Sequence, residues 1–384
     1  MSCYKPAVFI LSLFDTGLYA AQLLGEQGIP VFGFDHNPSN PGFYSKYIKP
    51  FLVKDPTQDH LELLNLLVKH AQALGCRPIL IAASEIYLNF LHENRRSLEE
   101  HFIITLPEQN VLSNIINKAG QLHMAKDVGI CVPDYWVIRN LTDLNTLGSM
   151  KLRFPIIIKG EAQQIWKAEK LNKSYIADSL DELMLIGAWL LERKLPFIAQ
   201  VLISGPITNN FEYNALMLDG NIIEESVIRK IRQYPEPFGA ATCVETSDNK
   251  DVERMGRDFV IKNRIEGFSN TEFKYNPVDG LLYFIETNAR VWLQIKLTKA
   301  LGQNFLMKYY NLILGTHNEK TIIVSGRTVK WVDVFGDLMY LFRDHKSIIC
   351  FFKIVLSYWN VVSYGLIYFK DIKPLQSSFR KLGS

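Results

Sequence analysis

Residues Thr271–Arg290, TEFKYNPVDGLLYFIETNAR, constrain the fold more than any other stretch. Two runs, Glu272–Asn276 and Leu281–Arg290, flank Pro277-Val278-Asp279-Gly280, and Gly280 can supply the positive φ of a short loop. The pattern predicts a β-hairpin. With a three-residue loop, Val278–Gly280, Glu272 falls opposite Glu286, while Glu286, Asn288 and Arg290 leave by one face. Carboxylates so opposed stand about 4.5–5.5 Å apart at Cβ and repel. Leu281–Ile285 is nearly all apolar, which makes the hairpin central and its acids partly buried. Buried acids need a partner. Two Glu and an Asn are hard oxygen ligands that suit Mg²⁺, with Mn²⁺ as the alternative and water and phosphates completing the shell. Arg290 can then hold phosphate or carboxylate oxygens bidentately. A surface hairpin with a solvated polar face is the plainer reading, and the apolar second strand argues against it.

A chain of 384 residues is long for one core and implies two or three domains. Its net charge of +3 carries no nucleic-acid footprint. The five cysteines form no CxxC pair, which argues against a zinc site or a disulfide framework and fits a reducing cytoplasm. The apolar run near the amino terminus ends at Asp15, too soon for a signal peptide.

Ala7–Leu13 reads as a strand covered on both faces, Leu18–Gln27 as a helix closed by Gly28, and Pro30–Asp35 as the next strand. Asp55–Leu74 follows as a helix and Pro78–Ala83 as a strand. A helix from Ser84-Glu85 to about Glu99 and a short strand Phe102–Thr105 complete a Rossmann-like α/β unit. Asp35 sits where a dinucleotide ribose partner would, so an oxidoreductase is one rival. The turn, however, holds only Gly17 where three glycines are required. Asp15 and Glu85, at strand ends, are substrate-site candidates or plain helix caps.

The Glu272 strand followed by FIETNAR resembles the metal-binding core of the ATP-grasp superfamily. Three further stretches fit that resemblance. Asn117–Pro133, NKAGQLHMAKDVGICVP, opens a helix with Lys118, a poor choice for the helix dipole that makes better sense reaching toward phosphate. Phe154–Gly160 is an apolar strand closed by Lys159, which the resemblance sets on the ATP α- and β-phosphates. Arg229–Pro235 is a basic run in which Lys230 and Arg232 share one face of an extended chain. The resemblance also implies that the backbone of Gln200, Val201 and Leu202 meets the adenine. One departure stands out: Glu161–Lys173 has no glycine where many members carry a Gly-rich phosphate loop. Closure must then rest on side chains such as Gln164, Trp166 and Lys173. In this the chain resembles a divergent branch of carboxylate–amine ligases, distantly similar to D-aspartate ligase.

The resemblance implies a Rossmann-like domain over 1–110, a small lobe over 111–194, a large lobe with the metal hairpin over 195–315 and a C-terminal helical tail over 316–384. It implies a ligase that takes ATP to ADP and phosphate and joins a small-molecule carboxylate to an amine. Glu272, Glu286 and Asn288 would hold metal, Lys118 and Lys159 ATP, and Lys230, Arg232 and Arg290 the transferred phosphoryl group. A nucleotide-binding or regulatory protein that kept the fold and lost turnover is the second class, favoured by the missing Gly-rich loop. In the tail, Ile348–Phe369 is long enough to raise a membrane span. Lys353, Ser357, Asn360 and Tyr364 recur at helical spacing as a polar stripe, which predicts instead a helix packed on the body or lying on a membrane surface.

Overall fold

The computed structural model describes residues 5–161, 165–166, 169–316, 328–344 and 347–382. The amino-terminal part is a parallel sheet in the order β3-β2-β1-β4, formed by β1 (Val8–Leu11), β2 (Val31–Asp35), β3 (Ile48–Leu52) and β4 (Ile79–Ala82). Its edge strand was not expected from the sequence. Pro50 lowers the strand signal of IKPFL, and a proline is tolerated only at a sheet edge. The predicted strand Phe102–Thr105 reduces to one bridge, Ile79 to Ile103. The helix after Ser84 breaks at Asn94 into Glu85–Glu93 and Arg95–Glu99.

A second, antiparallel sheet has the order β5-β8-β6-β7, from β5 (Tyr135–Ile138), β6 (Ile156–Gly160), β7 (Ser174–Ala177) and β8 (Phe197–Val201). It closes over its own core, in which Leu144, Ile158, Trp166 and Phe197 are fully or nearly buried. Gly160 is required there, because a Cβ at that position would stand 2.6 Å from the Trp166 ring.

The third sheet is seven-stranded, in the order β13-β12-β9-β10-β11-β14-β15. Its members are β9 (Asn210–Leu218), β10 (Asn221–Tyr234), β11 (Ala240–Thr246), β12 (Gly267–Asn276), β13 (Leu281–Asn288), β14 (Lys330–Val332) and β15 (Val361–Tyr364). Asp219 and Gly220, both at positive φ, make the tight turn between β9 and β10. This sheet shares two cores with the parallel one: Phe9 and Phe34 cluster with Phe259 and Phe273, and Leu18 and Val31 with Ile295 and Trp331. The first and third sheets therefore form one packed body, and the second rides on it with a separate core.

The tail departs from the sequence reading. It supplies β14 and β15 to the large sheet, so it is not a purely helical appendage. The long predicted helix ends at Ser357, after one ten-residue piece, Ile348–Ser357. Lys353, Ser357, Asn360 and Tyr364 are thus spread over helix, turn and strand, and no continuous polar stripe forms. No helix among the described residues is long and apolar enough to cross a membrane.

Candidate active site

Three carboxylates stand side by side across the large sheet. Glu212 on β9 pairs in register with Glu272 on β12, and Glu272 with Glu286 on β13. The expected Glu272–Glu286 pairing arises by a different route from the one assumed. The loop has four residues, Pro277–Gly280, and a β-bulge at Ile285 shifts the register back by one. Glu212 was missed because NFEYN carries no motif; only the register between strands reveals it.

Lysines from two other elements hold this row. Lys230 on β10 reaches Glu272 Oε2 at 2.6 Å and Glu212 Oε1 at 3.5 Å. Lys118 Nζ donates to Glu286 Oε2 at 2.9 Å. Its placement is local: the Asn117 side chain accepts from the amides of Ala119 and Gly120, which starts the helix Lys118–Asp127 at that residue. Asn270 adds an amide donor to Glu212 Oε2 at 2.8 Å.

The charges follow from these contacts. Burial works against the Lys230 ammonium, yet Glu272 and Glu212 outweigh it and raise its pKa above the ordinary lysine value. Lys118 is raised likewise, Glu286 and Glu85 overcoming burial. Glu286 is held well below the usual carboxylate range, chiefly by Lys118. Burial, followed by the neighbouring Glu272, pushes Glu212 up even though Lys230 opposes the shift. Lys159, at the end of β6, has no carboxylate of its own in hydrogen-bonding range among the ion pairs described. Burial and the Lys118 charge lower its pKa to about 8.

All these groups line one cavity of about 650 Å³, bordered by all three sheets. Phe14, Thr16, Ser84 and Glu85 come from the parallel domain, and Lys159, Trp166 and Lys173 from the small lobe. Asn210, Glu212, Lys230, Glu272, Glu286, Asn288 and Arg290 come from the large lobe. Two buried donors on this lining, Arg290 Nε and Trp166 Nε1, have no hydrogen-bond partner among the described residues. A wall of cationic and unspent donor groups beside a row of acids accepts an anionic ligand that brings its own cation. Among the described residues no three His, Cys, Asp or Glu side chains converge as a ready-made metal site.

Not every expected residue arrives. Arg232 turns away from the cavity: a β-bulge between Lys230 and Arg232 breaks the alternation that put both on one face. Its guanidinium instead grips buried Asp337 through Nε and Nη2 and donates to Ser357 Oγ at 2.9 Å. Gln200, Val201 and Leu202 are absent from the lining described, and the Val201 and Leu202 amides are donated to Asp134 O and Pro155 O. Those two amides cannot serve a purine base without breaking bonds already made. Trp166 is a core residue of the small lobe that also faces the cavity, and Gln164 lies outside the described residues. Asp35 is spent on the loop above it, accepting from Leu13 N, Asn37 N and Asn40 Nδ2. The dinucleotide reading thereby loses its acidic anchor.

A parallel α/β domain, a small antiparallel lobe and a large sheet carrying an acidic hairpin make up the ATP-grasp fold. Comparison with known proteins agrees. The D-aspartate ligase of Enterococcus faecium is 23% identical over 265 residues, a match that covers 65% of this chain and 62% of that protein. N5-carboxyaminoimidazole synthetase from Staphylococcus aureus, solved with ADP, superposes with a TM-score of 0.67 at 13% identity, covering 89% of this chain and 86% of that one. An L-amino acid ligase from Bacillus licheniformis gives a TM-score of 0.63 at 16% identity, covering 85% and 79%. No family model matches the chain.

Proposed function

We propose that this protein is an ATP-dependent ligase that joins a small-molecule carboxylate to an amine through an acyl phosphate. The observation that carries the reading is the row Glu212–Glu272–Glu286, held by Lys118 and Lys230 in the cavity that all three sheets border. Glu272, Glu286 and Asn288 offer hard oxygen donors for Mg²⁺ or Mn²⁺, which would neutralise the β- and γ-phosphates of ATP. Lys118 and Lys159 would hold the phosphates. Lys230, and Arg290 through its unspent Nε, would stabilise the charge spread over the γ-phosphoryl group. A substrate carboxylate oxygen attacks that phosphorus, the bond to the β,γ-bridging oxygen breaks, and ADP leaves. The amine then attacks the acyl carbon, inorganic phosphate departs, and the amine proton passes to solvent. The names of the similar proteins, two of them amino acid ligases and one a synthetase solved with ADP, support the same class.

The test is product analysis during a screen of amino acids and amines, with hydroxylamine as the trap. ADP, phosphate and a hydroxamate are expected, and Glu286→Gln should lower kcat by at least about 10²-fold, since even an outer-shell partner of a metal is worth 10–100-fold. Stoichiometric AMP and pyrophosphate would refute the mechanism. Nucleotide hydrolysis indifferent to every carboxylate and amine would favour a regulatory protein.

Lys159 makes a pH-dependent prediction. Its pKa in the free protein is about 8, below the ordinary 10.5, and a bound phosphate favours the charged form. ADP affinity should therefore be flat below pH 8 and fall by up to about tenfold per unit above it, with one proton taken up on binding. The free protein behaves oppositely. The unfolded chain keeps this proton up to 10.5 and the folded chain releases it near 8, so Lys159 adds stability as pH rises through that window. Calorimetric titrations from pH 7 to 10, with Lys159→Arg as the non-titrating control, measure the first effect. Equal slopes for both proteins would remove Lys159 from the phosphate site.

A further inference from the structure

Two stretches of the cavity wall belong to helix starts rather than strands. Phe14 and Thr16 flank the first residue of the helix Asp15–Gly25, and Trp292, Leu293 and Gln294 run into the helix Ile295–Ala300. The proposed phosphate and metal ligands all lie on other elements. These two helices pack against each other. Lys296 Nζ lies 4.1 Å from the centroid of the Tyr19 ring, and Lys299 pairs with Glu26. The C-terminal segment covers the pair. After β15, Gly365 O accepts from Lys296 Nζ at 2.8 Å, and the Tyr368 ring lies 4.6 Å from the same ammonium. Tyr368 Oη and Lys370 both bond Glu26.

This strap is anchored at Asp371, which is 3% exposed. Its carboxylate accepts from Gln22 Nε2 at 2.9 Å, from Ser45 Oγ and from the Lys46 amide at 3.1 Å. Gln22 lies on the helix that starts at the cavity. Ser45 closes the turn Pro41–Tyr44, whose Gly42 amide donates to Leu13 O at 3.0 Å. The approach is close: a Cβ on Gly42 would stand 2.7 Å from that oxygen. Leu13 immediately precedes Phe14. Asp371 therefore reaches the wall by two routes, along the helix from Gln22 and through Gly42 to Leu13. Hydrogen bonds to a carboxylate are stronger than neutral ones, so a buried one that answers three donors from two elements fixes both.

We propose that Asp371 is a positioning residue for the substrate end of the cavity. Through it the strap fixes Phe14 and Thr16 relative to Trp292 and Gln294, and the phosphate end is left to Lys118, Lys159 and Lys230. The inference rests on the ligase reading only for what this wall binds.

The test compares the full chain with Asp371→Ala, and with Asp371→Asn as the milder change that keeps one acceptor oxygen. Should the alanine variant not fold, the asparagine variant carries the same readings. Amide hydrogen exchange comes first and needs no turnover. Protection at Leu13, Leu18 and Gly42–Lys46 should fall at least about tenfold, with β12, β13 and the affinity for MgADP unchanged. With the substrates found in the product screen, KM for the carboxylate should rise at least about tenfold while kcat stays within about twofold. Unchanged exchange at Leu13 and Leu18, or an unchanged KM, would overturn the proposal. So would a loss of protection that spread to β12 and β13 or weakened MgADP, since Asp371 would then be a prop for the whole fold. A parent protein that binds MgADP and turns over no acid or amine would instead strike the ligase reading and leave the exchange result to decide the role of Asp371.

Discussion

Arg232→Met is expected to cost about 3–5 kcal/mol of stability, the usual consequence of removing one partner of a buried ion pair. Asp337 is 1% exposed, and Arg232 holds both its carboxylate oxygens while also bonding Ser357. Methionine fills most of the volume and supplies no charge, so Asp337 is left without its cationic partner in a dry site. The double change Arg232→Met/Asp337→Leu should recover most of the loss, because an apolar pair of similar volume removes the stranded charge as well. Urea unfolding measures both. A single variant within about 1 kcal/mol of the parent that had nonetheless lost turnover would return Arg232 to the phosphoryl group.

Much of the architecture and some of the site can be read from the sequence, for reasons that lie in particular residues. Lys118 and Lys159 stand at the start of a helix and the end of an apolar strand, positions where a lysine is locally unfavourable or unexpected, so each signals a partner. Glu272 and Glu286 declare themselves through the short hairpin. Their correct pairing came from a wrong loop length offset by an unseen bulge at Ile285. The opposite happened at Arg232, where a bulge reversed a parity that strict alternation would have kept. Bulges cannot be read from a single strand, because they exist only between two. Glu212 was illegible for the same reason: nothing in Phe211–Tyr213 marks an acid that becomes special only beside Glu272. In the tail, spacings of 4, 3 and 4 imitated a helical stripe across a turn and a strand, since spacing alone does not show where a helix stops.

Lys230→Met carries the other large effect and tests the charge logic of the row. The Lys230 side chain is 9% exposed, 2.6 Å from Glu272 and 3.5 Å from Glu212, and Asn270 satisfies only part of Glu212. Without the ammonium, two neighbouring carboxylates face each other in a buried site, at a cost of about 3–5 kcal/mol near neutral pH. The deficit should depend on pH in a defined sense. Burial and Glu272 already raise Glu212 above its ordinary 4.5, and loss of Lys230 raises it further. The folded variant then holds a proton that the unfolded chain has released. Its stability must fall as pH rises from 4.5 through the raised value, so the deficit is largest above that value, shrinks as pH falls toward 4.5 and levels off below it. A divalent cation offers the same relief at neutral pH. Millimolar Mg²⁺ should raise the melting midpoint of Lys230→Met by several degrees, about 2–4 °C for each kcal/mol regained, and shift the parent less in the absence of nucleotide. Melting curves across pH 4–8, with and without Mg²⁺, decide the matter. A deficit that ignored both pH and Mg²⁺ would mean that Lys230 fills space, and Glu212, Glu272 and Glu286 would lose their standing as an anionic row awaiting a cation.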